Sequence, residues 1–519
     1  MIGTFWAFTP AIVAIVLALI TKQVYVSLFT GIFVGAMMYA KGNPLAALQS
    51  LFEVMSDKVG GNAPIIVFLV ILGIIVVLMQ KSGGAMAYGN WAERKIRTKN
   101  GAMAASAGLG CLIFVDDYFN CLTVGSTMRP VTDKFKVSHA KLAYIIDSTA
   151  APICIIAPIS SWAAAVSDNF DNGILAFIQA IPFNLYAILT IIFVFTLCFF
   201  NFDFGKMRSN ERIAEATGDL DAGETEGVIS DDKDIIANPK GKVHHLIVPV
   251  VVLIVCCITG MLYTGGFPEK NIIKAFSGCD AGMSLAIGST IALVIIGTYY
   301  IATKVVSFKE ITESFTQGFK AMVPAILILT FAWTLSGIMG AGVSIEDVAG
   351  GDNPYLYVNY FVQTTLSEMK FLTAIMPAIF FILACGIAFA TGTSWGTFGI
   401  LVPISLELVS GAGTALIMMT VAATLGGAVF GDHVSPISDT TILSSTGANC
   451  NHIDHVRTQM PYAVLIAAIS FVTYLIAGFC TALGSVLSCL IMWAIGISLF
   501  AGSIFVIKHI EKQRAAKTK

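Results

Sequence analysis

Apolar stretches of about 20 residues, each closed by a short polar patch, recur along this chain. Leu246 to Tyr263 is one, and Pro64 to Met79 with its flanks is another. A helix of that length crosses the hydrocarbon core of a bilayer. So many runs predict an all-α polytopic membrane protein rather than a soluble domain with a single anchor. The first run, Phe5 to Ile20, has no basic residue ahead of it and is followed by Thr21, Lys22 and Gln23 instead of a small-residue cleavage site. It reads as a span and not as a signal peptide.

The polar patches set the topology, because Lys and Arg accumulate on the cytoplasmic side. Four basic clusters are placed there: Arg94 to Lys99, Arg129 to Lys141, Lys206 to Arg212, and Lys508 to Lys519. The first two flank residues 101–128, whose ends therefore lie on one side, so this segment must enter and return as a re-entrant hairpin with Asp116 to Asn120 at its tip. Non-helical backbone at that depth has to be shielded from lipid by protein. Residues 372–410 form its counterpart, with a tip at Thr391 to Thr397. Its flanks are acidic (Glu346, Asp347, Asp352, Glu368, Glu407), which suits an approach from outside. Threading the remaining runs gives about eleven full spans plus the two hairpins, with the N-terminus outside and the C-terminus inside.

The expected organisation is a first repeat over 1–202, a polar, flexible cytoplasmic linker over 203–242, a second repeat over 243–480, and a final helix with a basic tail over 481–519. The linker carries ten acids and six bases. Between the halves, Pro64 answers Pro324, Pro130 answers Pro403, and Ala157 to Ser160 answers Ser435 to Ser438, at separations of 260, 273 and 278 residues. With hairpins approaching from opposite sides, the halves would be inverted repeats, an arrangement in which one site faces either side in turn.

Composition sharpens the class. The 519 residues are 56% hydrophobic and 12% charged, with a mean hydropathy of +0.82, far above a soluble core of this size. A net charge of -2 points to no nucleic-acid partner. The 11 cysteines are scattered through apolar runs with no paired spacing, as small buried residues are.

Chemistry concentrates where apolar runs are broken by Asp, Ser, Thr, Gly and Pro: Asp116 to Asn120, Asp147 to Pro152, Thr391 to Thr397, and Gly431 to Thr441. Pro152, Pro158 and Pro436 remove backbone donors and free nearby carbonyls. A sodium ion needs several oxygens in place of its hydration shell, and broken helices supply carbonyls, hydroxyls and carboxylates together. A half-helix N-terminus equally suits an organic carboxylate. Each Asp in hydrocarbon costs about 3 kcal/mol, so Asp116, Asp117, Asp147, Asp432 and Asp439 mark function. A carboxylate that binds sodium or a proton, but not both, is the simplest basis for antiport; Asp147 and Asp432, one in each half, are the leading pair, with Asp117 the third sodium candidate.

Blander readings stand beside these. Asp116 and Asp117 also suit an interfacial turn, and Asp147 to Thr149 an N-cap for a helix restart. His433 either orients Asp432 or carries a proton. His452 to His455, next to Arg457, is expected to be a solvated turn rather than a metal fragment. The Gly31/Gly35 and Gly427/Gly431 spacings are explained by close helix packing.

Taken together, the motifs Phe114 to Asn120, Asp147 to Pro152, Gly392 to Thr397 and Gly431 to Thr441 resemble the NhaC family of sodium/proton antiporters, in order and across most of the chain. The resemblance implies a fold of the ion-transporter superfamily, with inverted repeats, two re-entrant hairpins and two broken helices. It implies a membrane transporter and not an enzyme, with sodium and proton as transported or coupling ions and no cofactor. Relatives also include malate/lactate exchangers and sodium-coupled amino-acid carriers, so a small organic acid or amino acid is the alternative solute. Carried over position by position, the motifs point to Asp116, Asp117, Asn120, Asp147, Ser148, Thr149, Thr393, Ser394, Thr397, Asp432, Ser435 and Asp439, with His433 and Thr440 in the same stretch. The sequence leaves a homo-oligomer open. An aspartyl protease needs a single carboxylate dyad and a route for a substrate helix, which fits less well, and discontinuous helices suit a carrier better than a channel.

Overall fold

The computed structural model describes residues 4–517 apart from 22, 168, 171–172, 201, 224–236, 271, 273–274, 276–278, 341–355, 357–369 and 437. Before the central insertion run α1 (Thr9–Thr21), α2 (Val24–Tyr39), α3 (Pro44–Gly61), α4 (Ala63–Lys81), α5 (Gly84–Lys95), α6 (Lys99–Leu112), α7 (Asp117–Lys134), α8 (His139–Cys154), α9 (Ser161–Ser167), α10 (Gly173–Ala180) and α11 (Leu185–Phe200). Next come α12 (Gly205–Thr217), α13 (His244–Thr264), α14 (Ala281–Ala302), α15 (Phe308–Met339), α16 (Lys370–Thr391), α17 (Ser394–Leu408), α18 (Thr414–Val434), α19 (Asp439–Ala448), α20 (His452–Ala477) and α21 (Ser485–Lys517).

This is an all-α polytopic membrane protein. Among the described residues, eight helices are long and apolar enough to cross a bilayer, or nine counting α15, which bends by 42° at Pro324. Proline accounts for that bend, since it lacks the N–H and its ring crowds the preceding turn. Four of the acidic flanks expected around the second hairpin, Glu346, Asp347, Asp352 and Glu368, lie outside the described residues.

The halves interleave. Helices α2, α3 and α4 pack with α13, α14 and α15 in one group, while α6 to α11 pack with α16 to α20 in another. Both GxxxG spacings serve close packing. A Cβ on Gly31 would lie 2.6 Å from the Pro10 carbonyl oxygen, and one on Gly427 would lie 2.3 Å from that of Phe381.

The expected flexible linker is corrected over its first half, where α12 lies across the polar ends of α6, α8 and α20. It buries Met207 and Ala214, and ion pairs and hydrogen bonds hold its polar remainder. Lys99 bonds Glu211 and Glu215, each at 2.7 Å, and Lys206 bonds Asp454 at 2.5 Å. Glu211 accepts from the Ser138 amide at 2.8 Å, and Asn210 donates to Asp454 at 2.6 Å. Just ahead of α12, Asp203 pairs with the fully buried Lys141 and accepts from Tyr462 at 2.5 Å.

Two outcomes test this docking. Asp203→Ala leaves a buried ammonium unpaired and is expected to destabilise by about 3–5 kcal/mol, whereas a paired apolar replacement of Lys141 and Asp203 restores most of the loss. Thermal unfolding of the purified protein measures both. At the polar rim, His139 lies 2.7 Å from Asp221 and 3.2 Å from Asp133. Burial disfavours its charge, but hydrogen bonds and the charges of both carboxylates outweigh burial and raise it from 6.5 to about 9. Because the folded value is raised, this tie is at full strength below pH 6.5 and is lost as pH climbs through about 9. Tryptic cleavage at Arg208 and Arg212 should therefore quicken above that pH, and His139→Gln should remove the pH dependence.

Candidate functional site

Four times the chain breaks a buried helix and restarts it on a side-chain cap. Between α6 and α7, Asp116 Oδ1 accepts from the Phe119 amide at 3.0 Å. Between α8 and α9, Ser160 Oγ accepts from the Ala163 amide at 3.0 Å. After α16, Gly392 takes a φ of +70°, and Thr393 Oγ1 accepts from the Gly396 amide at 3.3 Å. After α18, Ser438 Oγ accepts from the Thr441 amide at 3.3 Å. Each cap satisfies a donor that a helix start leaves free, where no water stands ready to do so. Ser160 and Ser438 close the two matching Pro-Ile-Ser triplets.

The first break is tied down by Asn120. Its Nδ2 donates to the carbonyls of Gly110 at 2.7 Å, Ile113 at 2.9 Å and Thr149 at 3.1 Å, joining the break to α6 and α8. The amide orientation is thereby fixed, and Oδ1 is buried with no hydrogen-bond partner among the described residues. Beside it, Asp117 Oδ2 accepts from Trp162 Nε1 at 3.2 Å. Trp162 packs on Trp395 and Phe398 with ring centroids 5.5 and 4.7 Å apart, which joins the break of the first half to that of the second. Each such ring pair contributes about 1 kcal/mol beyond its buried area.

Asp147 is fully buried within α8. Gln459 Nε2 donates to its Oδ2 at 2.5 Å, Ser444 Oγ lies 3.3 Å from Oδ1, and His455 Nε2 lies 3.6 Å from Oδ2. Gln459 Nε2 also donates to the His433 carbonyl at 2.7 Å. Both partners are acceptors, so the nitrogen must face them, and Oε1 is left buried without a partner among the described residues. Ser444 also reaches Cys121 Sγ on α7 at 3.2 Å, and this thiol lies within electrostatic reach of Asp147, Asp117 and Asp432. There α7 and α19 touch backbone to backbone: a Cβ on Gly125 would sit 2.5 Å from the Gly447 carbonyl carbon. Asp432, near the end of α18, accepts from Thr440 Oγ1 at 2.8 Å across the fourth break. The result is a buried set of carboxylates and hydroxyls with two unpartnered amide oxygens, groups that suit a small hard cation or a proton.

The sequence-derived residues therefore fall into three groups. Asp116, Asp117 and Asn120 meet at the first break and Asn120 ties it to the Thr149 carbonyl; Asp147 is linked to α7 through Ser444 and Cys121 and to the His433 carbonyl through Gln459, and Asp432 bonds Thr440. Ser148 is buried in α8 beside Asp147. By contrast, Thr397 bonds its own helix at Thr393 and Ser435 bonds the Phe389 carbonyl at 2.8 Å, while Ser394 is buried in the first turn of α17. From α17 it is Trp395 that packs on Trp162 and, through it, approaches Asp117. Asp439 opens α19, and its side chain is outside the described residues.

Two expectations are corrected. Asp147, Ser148 and Thr149 neither lie in a gap nor cap a helix; they sit inside α8, because Pro152 is accommodated in its last turn and the break follows Cys154. His433 shares a hydrogen bond of 2.9 Å with the Tyr186 hydroxyl through Nδ1, and His455 Nε2 lies 3.6 Å from Asp147. Lastly, His452 to His455 is no solvated turn: it starts α20, with Asp454 and His455 buried. His455, Gln459, Ser444 and Trp162 are the participants missed from the sequence. The four-residue spacing of His455 and Gln459, on the face that also carries buried Tyr462, was the available signal.

Comparison with known proteins agrees with this architecture. A sequence model described as the Na+/H+ antiporter family matches residues 161–479. An uncharacterized protein of Haemophilus influenzae is 38% identical over 501 residues, 91% of each chain. The malate-2H+/Na+-lactate antiporter of Bacillus subtilis is 30% identical over 33% of this chain and 34% of its own. The arginine/ornithine antiporter of Halobacterium salinarum is 37% identical over 21% of this chain and 23% of its own. Among solved structures, the YdaH transporter of Alcanivorax borkumensis superposes with a TM-score of 0.52 at 12% identity, covering 83% of this chain and 88% of its own, a likeness of fold.

If Gln459 holds Asp147 as the geometry indicates, Gln459→Leu strips a donor from a buried carboxylate and lowers stability by about 1–3 kcal/mol. An unchanged unfolding temperature for that variant would refute the role.

Proposed function

The chain belongs to the Na+/H+ antiporter family, and we propose that it is a secondary active transporter of the cell membrane in which Asp147 binds sodium and protons alternately. The observation that carries this reading is the surroundings of Asp147. A fully buried carboxylate is steadied by Gln459 and Ser444, with His455 at 3.6 Å and the unpartnered Oε1 on the Gln459 that holds it. Sodium supplied to those oxygens neutralises the carboxylate, and so does a proton. Each displaces the other, because a second positive charge gains nothing from a carboxylate already neutralised. Pro152 adds to the oxygen supply, since it has no N–H to offer the Ser148 carbonyl one turn earlier, next to Asp147. Asp117 and Asp432 extend the carboxylate set, and the Trp162 and Trp395 pair closes it from the side of the second half. The basic clusters favour a cytoplasmic C-terminus and an N-terminus outside.

A second reading is exchange of a small organic acid or amino acid coupled to the same ions. The partial likeness to the malate and arginine/ornithine antiporters favours it.

Everted membrane vesicles decide the first reading. Sodium added to acidified vesicles should discharge the pH gradient with the native protein, and Asp147→Asn should reduce this to background while the protein remains folded. Full activity in Asp147→Asn would overturn the assignment. Proteoliposomes offered malate, lactate, arginine and ornithine under a sodium gradient separate the two readings, since only the second gives solute accumulation.

A further inference from the structure

A cavity of about 340 Å³ lies away from the carboxylate cluster, between α5 and the returning end of the central insertion. It is lined by Met86, Asn90, Trp91, Arg94 and Lys95 of α5, with Pro239 and Gly241 across from them. Small-molecule sites begin at about 300 Å³, so the space is adequate for a ligand and not merely a crevice.

We infer that this cavity binds the headgroup of an anionic phospholipid. The first argument is its depth. Helix α4 is a candidate span ending at Lys81, and the Asn238 amide donates to the Lys81 carbonyl at 2.9 Å. The insertion therefore returns at the level where α4 leaves the bilayer, and Pro239 and Gly241 stand at that level. Side-chain partition along α5 is the second argument. The helix buries Gly84, Ala85, Gly89 and Ala92 and turns Met86, Trp91, Arg94 and Lys95 outward. Trp91 is 49% exposed, and an exposed indole next to basic groups is the amphipathic composition of a bilayer interface.

Charge supplies the third argument. Glu93, the acidic residue of this turn, is drawn to Lys134 at 3.5 Å, whereas Arg94 and Lys95 have no carboxylate partner among the described residues. Lys240 and Lys242 on the facing segment add the same sign. A guanidinium forks onto phosphate oxygens, Asn90 offers amide donors one turn away, and Met86 and Trp91 supply apolar surface for the start of the acyl chains. Soluble phosphate shares the charge but has no use for that apolar surface, which favours the lipid.

This placement connects to the transport machinery. The buried face of α5 meets α7 so closely that a Cβ on Gly89 would lie 2.6 Å from the Thr127 carbonyl oxygen, and α7 is the helix that Asp116 and Asp117 open. A bound headgroup would therefore brace the helix carrying two of the buried carboxylates.

The test reads binding and does not depend on transport. Full-length protein in nanodiscs of phosphatidylcholine with a minor fraction of phosphatidylglycerol is extracted and its retained lipid counted by native mass spectrometry. Native protein should keep phosphatidylglycerol, and R94Q/K95Q should bind it roughly 30-fold more weakly, from two basic groups at a charged surface. Trp91→Ala is a second variant that leaves the charges in place and should also weaken retention. K309Q/K320Q, on exposed parts of α15, should retain lipid as the native protein does. Equal retention in native protein and R94Q/K95Q would overturn the proposal, as would equal loss in the α15 control. Displacement of the lipid by inorganic phosphate alone would assign the cavity to a soluble anion instead.

Discussion

Lipid offers backbone groups no hydrogen-bond partner, and the architecture follows from that constraint. A chain that must bring carbonyls and carboxylates to the middle of a membrane has to break its helices there, and every break exposes donors and acceptors that only protein can satisfy. Here a side-chain oxygen performs that task at each of the four breaks: Asp116, Ser160, Thr393 and Ser438. Asn120 does the complementary work, gathering three carbonyls onto one amide. Capping and ligand binding thus use the same residue types, and a broken helix stable enough to exist already has the oxygens a cation requires.

The two halves contribute unequally to the centre. The first supplies Asp117, Asn120 and Asp147, whereas the second supplies the groups that hold Asp147 in place: Gln459, Ser444 and His455. Interleaving makes this possible, since α8 of the first half packs against α18, α19 and α20 of the second. Asp147 therefore sits on the seam between the two halves of the chain. Any movement of one half against the other changes its coordination directly.

Much of this was legible in the sequence. Long apolar runs announced the spans, and each polar break stood out because hydrocarbon tolerates Asp, Ser and Thr so poorly. The Pro-Ile-Ser triplets proved to be equivalent caps. What stayed hidden depended on partners distant in the chain. Beside the polar Arg457 and Asn451, the four-residue spacing of His455 and Gln459 was the one local hint of a buried face; the burial itself is imposed by α8, some 300 residues away. Helix α12 was equally opaque, because its few apolar residues are docked by polar partners distant in the chain: Lys99, Ser138 and Asp454. Pro152 misled for a different reason: a proline in the last turn of a helix ends it without opening the turns before it.

The glycine contact between α7 and α19 bears on how such a molecule moves. Helices that interlock through large side chains resist displacement along their axes, since each ridge must climb out of its groove. Where Gly125 faces Gly447, main chain lies on main chain and there is no ridge to climb. The contact is tight in the direction that separates the helices yet smooth along them, as in a bearing. Here the two halves meet without interlocking side chains, next to the polar centre.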